Sequence, residues 1–213
     1  MTNDNMAQNA PSINITRWGG GIPIAERGEC SSSTLMAAKA DLARSGLDLD
    51  DARENGIFAV DDASSVHPHF ASHPALVMPY RRADGSLVTY EQDGIRVPMM
   101  RVRYLAAPMS AKALPKDGQR YDNPKGAGVQ IFYPPNYDWS QFERGEVEDV
   151  CVVEGEKKAV ALCKVGVPCI AIGGVWNTRQ SGTKTLHPDL ANFPAKSFRL
   201  LFDSDIATNE HVQ

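Results

Sequence analysis

Apolar positions along the 213-residue chain change rhythm several times, and the changes divide it. Residues 1–33 are rich in Gly, Ser, Asn and Pro, carry no periodic pattern, and read as a flexible lead-in in which "WGGGIP" is a loop. Residues 34–74 read as a small helical lobe. "SSSTLMAAKADLARSG" predicts a helix capped by Ser33 or Thr34, with Leu35, Ala38 and Leu42 on one face and Gly46 at its end. "LDLDDARENG" predicts a second short helix that stops at Gly56.

From residue 75 the pattern becomes strand-like. "ALVMPY" and "SLVTYEQ" flank "RRADG", where Asp84-Gly85 signals a hairpin. "IRVPMMRVRYLA" continues as strand, and the two-residue period puts Arg101 and Arg103 on one face. "GVQIFYPP" predicts a further strand stopped by Pro134 and Pro135, and "NYDWSQFERGEVE" a loop or short acidic connector. Residues 75–148 thus read as a mostly antiparallel, β-rich subdomain. At Asp149 the rhythm turns to β-α-β: "VCVV" a buried strand, "EKKAVALCKVG" a helix closed by Gly166, "PCIAIGG" a second strand, and "FRLLF" a third. Strands alternating with helices imply a parallel sheet. The fold class expected is α+β overall, a β-rich subdomain followed by a parallel α/β sheet over 149–213.

Composition changes little: 42% hydrophobic and 23% charged residues are ordinary for a globular chain. No apolar run reaches a membrane span, and the first residues lack a basic region followed by an apolar stretch, so a cytoplasmic protein without membrane partners is expected. The four cysteines form no CxxC pair and three lie in apolar surroundings, which favours reduced, buried thiols over a zinc ribbon. Charge does alter the picture. The net charge is −4, yet residues 78–130 hold nine basic and five acidic side chains, whereas 131–150 hold one and five. A uniformly basic nucleic-acid binder is excluded, and a local phosphate-contacting surface is not.

The chemistry concentrates at strand ends. In an open parallel sheet, ligands collect beyond the carboxyl ends of the strands. Glu154 ends the first α/β strand, and Asp203 and Asp205 end the third. If those strands are neighbours, three carboxylates converge, a hard oxygen set suited to Mg²⁺ or Mn²⁺. Simpler readings stand beside this one. A lone Glu there serves the helix dipole, and an isolated Asp-x-Asp serves as a turn or cap. Lys157 and Lys158 either reach a phosphate or line a solvent-facing helix, and Arg101 and Arg103 either meet phosphate or form a solvated strand face. Trp176 either stacks on a base or packs in its loop. His67, His69 and His73 form a loose cluster with no Cys or acid in register, more in keeping with unliganded loop histidines than a metal site.

"VVEGEKKAVAL", "GVPCIAIGG" and "FRLLFDSD" together resemble a TOPRIM domain, the fold shared by DnaG-type primases, topoisomerases and some nucleases. "EGEKKA", "GGVWN" and "FDSDIATN", with the upstream "HPHF" and "HPALVMPYRRADG", resemble the primase-like domain of phage and plasmid replication proteins. "MPYRRADGSLVTY", "RVRY", "RYDNP" and "IFYPP" resemble, in order, the β-rich subdomain before TOPRIM in DnaG-type primases, so the likeness covers residues 75–213. It implies Glu154 as metal ligand or general acid/base, and Asp203 and Asp205 as the metal-binding pair. It places Arg103, Arg120, Tyr121 and Asn123 on the basic surface facing template and nucleotide. It implies Mg²⁺ (or Mn²⁺), a single-stranded DNA template, nucleoside triphosphates and a replicative helicase as partner.

The resemblance also implies a further helix, strand and acid after the Asp pair, so the TOPRIM-like part reads as incomplete and the chain as a piece of a longer replication protein. A zinc module and a GxxxxGK[ST] loop are missing from these residues, which places helicase or ATPase activity elsewhere. The expected activity is primase-like nucleotidyl transfer. The rivals are a TOPRIM nuclease and a non-catalytic DNA-binding or assembly module. Nothing here supplies the tyrosine-bearing cleavage domain of a topoisomerase.

Overall fold

The structure is a computed structural model that describes residues 30–105, 120–180 and 182–202. Helix α1 (Ser32–Ala43) begins two or three residues earlier than the capping pattern suggested. Ser31 is the N-cap, its hydroxyl accepting from the Thr34 N–H and donating to Asp61 (2.6 Å), so Ser33 and Thr34 lie inside the helix. Asp61 also accepts from the Ser31 N–H, which explains why the cap falls there. Gly46 and Gly56 follow the two helices with positive φ, as left-handed C-terminal turns require. Helix α2 (Leu49–Glu54) opens with a reciprocal capping box between Asp48 and Asp51.

Strands β1 (Phe58–Val60), β2 (Ala75–Pro79), β5 (Met100–Tyr104) and β6 (Tyr121–Asp122) form an antiparallel sheet in that order. The chain does reverse at Asp84-Gly85, with Arg81 bridging Leu87. A second hairpin joins β3 (Thr89–Gln92) to β4 (Ile95–Pro98) through Asp93-Gly94, both at positive φ (51° and 75°). Such a primed turn matches the strand twist, and Asp-Gly is its sequence signal. The sheet's two faces differ. Ala75, Val77, Met100, Val102 and Tyr104 pack in a small core with Ala63, Val66 and Phe70. Leu76 and Met78 lie opposite Arg103 and Arg101 and join the main core, which extends into the α/β unit.

That unit holds β7 (Ile131–Phe132), β8 (Asp149–Val153), β9 (Cys169–Ile172) and β10 (Ser197–Leu200) in the order β10-β8-β9-β7. The pairs β10–β8 and β8–β9 are parallel, as the β-α-β pattern requires, with helix α4 (Glu156–Lys164) between β8 and β9 in sequence. The strand read from "GVQIFYPP" belongs here rather than to the first sheet: β7 runs antiparallel to β9, with Ile131 and Phe132 both fully buried. Two apolar residues fit either sheet locally, and docking chose. The segment expected as a connector is also structural. It contains α3 (Ser140–Glu143), and Trp139 and Phe142 pack with Tyr133 and Phe193 in an aromatic cluster. Trp139 meets its polar need by donating from Nε1 to the Pro134 carbonyl at 2.9 Å. Helix α5 (Pro188–Ala191) precedes β10. Among the described residues, no helix is long and apolar enough to cross a membrane.

Candidate metal centre and nucleic-acid interface

The neighbour relation on which a metal site depends is present. β10 lies parallel beside β8, from Ser197 opposite Asp149 to Leu200 opposite Val152, and the Leu201 N–H continues to the Val152 carbonyl at 2.9 Å. The third strand therefore runs toward the same sheet edge at which β8 delivers Glu154. Asp203 and Asp205 lie outside the described residues. Glu154 is half-buried and makes no ion pair among the described residues. Those residues contain no group of three or more potential ligands by themselves. Gly155 caps α4 with an extended backbone (φ −143°, ψ 138°), and no side chain caps the helix.

The next two residues are committed elsewhere. Glu156 is completely buried and was not among the acids singled out by sequence. Its Oε1 accepts from the Tyr80 hydroxyl at 2.5 Å and from Arg101 Nη1 at 2.8 Å. Burial, and then the Glu156 charge, push the Tyr80 phenol well above its ordinary range. Burial alone would lower Arg101, but the Glu156 carboxylate outweighs it and keeps the guanidinium firmly charged. Glu156 Oε2 and Arg101 Nε have no hydrogen-bond partner among the described residues.

A second buried carboxylate, Asp41 on α1, gathers the neighbouring cations. Its Oδ2 accepts from Arg103 Nε at 2.6 Å and from Lys157 Nζ at 2.5 Å, while Oδ1 pairs with Arg44. Lys157 Nζ also donates to the Asp41 carbonyl at 2.9 Å. Burial by itself would raise Asp41, yet the hydrogen bonds from Arg103 and Lys157 overcome it and hold the carboxyl at about 2. Lys157 is lowered, because desolvation costs it more than a carboxylate shared with Arg103 returns. Tyr121 completes the layer: Arg101 and Arg103 both lie over its ring, at 4.7 and 4.8 Å from the centroid.

The basic residues named from sequence thus fall into two groups. Arg101, Arg103 and Lys157 lie between the first sheet and α4, each paired with a buried acid. Arg120 and Lys158 are exposed, Tyr121 is half-buried, and half-buried Asn123 has a buried Oδ1 with no hydrogen-bond partner among the described residues. The solvated readings for Arg101, Arg103 and Lys157 fail because the two-residue strand period and the first turn of α4 turn all three inward. The acids had a readable signal. Glu156, Ala159, Val160 and Cys163 form one buried stripe at helical spacing, and Asp41 adjoins Leu42 on the buried face of α1.

Of the histidines, His67 Nδ1 accepts from the His69 N–H (3.1 Å), which leaves Nε2 to donate to Gln92 Oε1 (3.0 Å). His73 Nε2 donates to the Leu105 carbonyl at 2.9 Å, and His69 lies 3.9 Å from Asp122. Trp176 falls in a 3-10 turn, Val175–Thr178.

A family profile described as "Domain of unknown function (DUF3854)" matches residues 139–213. No curated protein matches the chain. Among solved structures, the chain is similar to the RNA polymerase domain of Mycobacterium tuberculosis primase DnaG, with 17% identity and a TM-score of 0.51 over 85% of this chain and 66% of that one. The same domain in complex with double-stranded DNA gives 18% and 0.50 over 84% of this chain and 61% of that one. A DnaG primase catalytic domain bound to single-stranded DNA gives 18% and 0.50 over 83% and 57%. The chain therefore spans less than two thirds of each relative. It has the α+β fold of DnaG primase catalytic cores.

Proposed function

We propose that the chain is part of a primase-like replication protein of a phage or plasmid that carries out Mg²⁺-dependent nucleotidyl transfer on a single-stranded DNA template. The observation that carries this reading is the parallel pairing of β8 and β10, which runs the end of β10 toward the sheet edge at which β8 delivers Glu154. In this reading those three carboxylates hold Mg²⁺ or Mn²⁺. A divalent ion there supplies charge neutralisation at phosphate and an activated nucleophile. Glu154, half-buried and without an ion pair among the described residues, is the first of the acids this reading assigns to the ion. Exposed Arg120 and Lys158, with Asn123, offer donors to template or nucleotide phosphates, and Arg101, Arg103 and Lys157 support the surface from beneath. Nucleoside triphosphates are the substrates, a replicative helicase is the expected partner, and the cytoplasm is the expected compartment.

The test is incorporation of labelled nucleotides on a single-stranded template, with Mg²⁺ varied and Mn²⁺ binding followed in parallel. Wild-type protein is expected to bind Mn²⁺ and to extend product only with metal. Glu154→Gln and Asp203→Asn should each lower the rate by roughly 10²-fold or more, as expected when a charge-stabilising group is lost. Metal-dependent nicking without synthesis would reassign the site to phosphodiester cleavage. DNA binding that is indifferent to metal and to Asp203→Asn would make the chain a non-catalytic module.

A further inference from the structure

Glu154 is joined to α4 by one glycine. Gly155 has nothing within 4 Å of where a Cβ would stand, so the linkage itself does little to fix the direction of the carboxylate. On one side Glu154 is held by β8, whose Val153 pairs with Ala171. On the other it depends on where α4 begins, and that point is pinned from the first sheet. Glu156, the first residue of α4, is gripped by Tyr80 and Arg101, and Lys157 by Asp41. Arg101 also reaches the neighbouring strand end. A Cβ on Gly173, just after β9, would stand 3.1 Å from Arg101 Nη1 and 3.2 Å from Asn177 Nδ2. One buried guanidinium therefore underlies the ends of both β8 and β9, the edge at which Glu154 sits. The pair it makes with Glu156 has zero exposure on the acid and 11% on the arginine side chain, too enclosed for a nucleic acid to reach.

We propose that Tyr80, Arg101 and Glu156 form a positioning clasp that sets the direction of Glu154 and the height of the 173–174 turn. This gives Arg101 a supporting role in place of a phosphate contact, and it rests on the metal reading above. The buried Glu156 does not itself touch an ion or substrate. Its effect passes through the start of α4 to Glu154, the way outer partners orient ligating side chains elsewhere. A methyl group at 173 would press on the same guanidinium, which would have to give by a few tenths of an ångström.

Mn²⁺ affinity of the full chain tests this, measured from free-ion paramagnetic resonance at a temperature where each variant retains its circular dichroism. Glu156→Gln keeps the shape and is expected to weaken Mn²⁺ binding roughly tenfold, within the range known for outer-partner changes. Tyr80→Phe, which removes one hydroxyl, should weaken it less and carries the test if Glu156→Gln does not fold. Gly94→Ala, in the β3–β4 turn and outside the clasp, is the control: it lowers thermal stability and leaves Mn²⁺ affinity unchanged. A folded Glu156→Gln protein whose affinity stays within about twofold of wild type, or a Tyr80→Phe protein that does so where Glu156→Gln does not fold, overturns the clasp while the metal site stands. Wild-type protein that binds no Mn²⁺ overturns the metal reading and the clasp together.

Discussion

Replacing Asp41 by asparagine removes the only negative charge shared by Arg103 and Lys157 among the described residues while keeping the side-chain volume. All three groups are buried: the side chains of Asp41, Lys157 and Arg103 are 3%, 7% and 10% exposed. Deleting one partner of a buried ion pair leaves the other charge uncompensated and costs about 3–5 kcal/mol. The carboxyl gives an independent measure. Held at about 2 against an ordinary 3.8, it contributes roughly 2.5 kcal/mol to folding near neutral pH. The sign follows from the depressed value: the contribution is complete above the unfolded carboxyl's range and is lost as pH falls through the folded value near 2. Urea denaturation of wild type and Asp41→Asn at pH steps from 6 to 2 reads both quantities. The variant should be less stable by about 3 kcal/mol or more at pH 6, and the gap should narrow by roughly 2 kcal/mol by pH 2. A gap that stays constant over that range, or one under about 1 kcal/mol at pH 6, refutes the reasoning, because an exposed pair behaves that way.

The β3–β4 turn and the buried thiols carry further expectations. Gly94→Ala puts a side chain at φ 75° in the β3–β4 turn and should cost about 1–2 kcal/mol in thermal unfolding, with the β-rich sheet otherwise intact. Cys163, whose thiol burial pushes up to about 12, and Cys169, pushed higher still, should resist alkylation in the native protein and react only after unfolding. Rapid native labelling of either at pH 8 would show that the α4–β9 packing opens.

Much of the architecture could be read from local sequence. The β-α-β order from Asp149, the helix ends at Gly46, Gly56 and Gly166, and the reversal at Asp84-Gly85 all depend on backbone preferences within a few residues, and all are present. The Asp93-Gly94 turn carried the same signal and could have been read with equal warrant. The position of Glu154 at a strand end was legible for the same reason. The fate of the charges, by contrast, was settled by the docking of distant elements. Arg101 meets Glu156 across 55 residues, Tyr80 meets it across 76, and Lys157 meets Asp41 across 116. Whether an arginine on a strand faces water or a buried acid depends on which element docks over that face, and no local rule encodes it. The strand at Ile131–Phe132 shows the same limit, since two apolar residues specify a buried strand but not its partner. Sequence by itself fixed which residues turn, coil and alternate, because those preferences are short-range. Docking of the two sheets determined which charges are buried as pairs, because desolvation and partner choice arise only when distant surfaces meet.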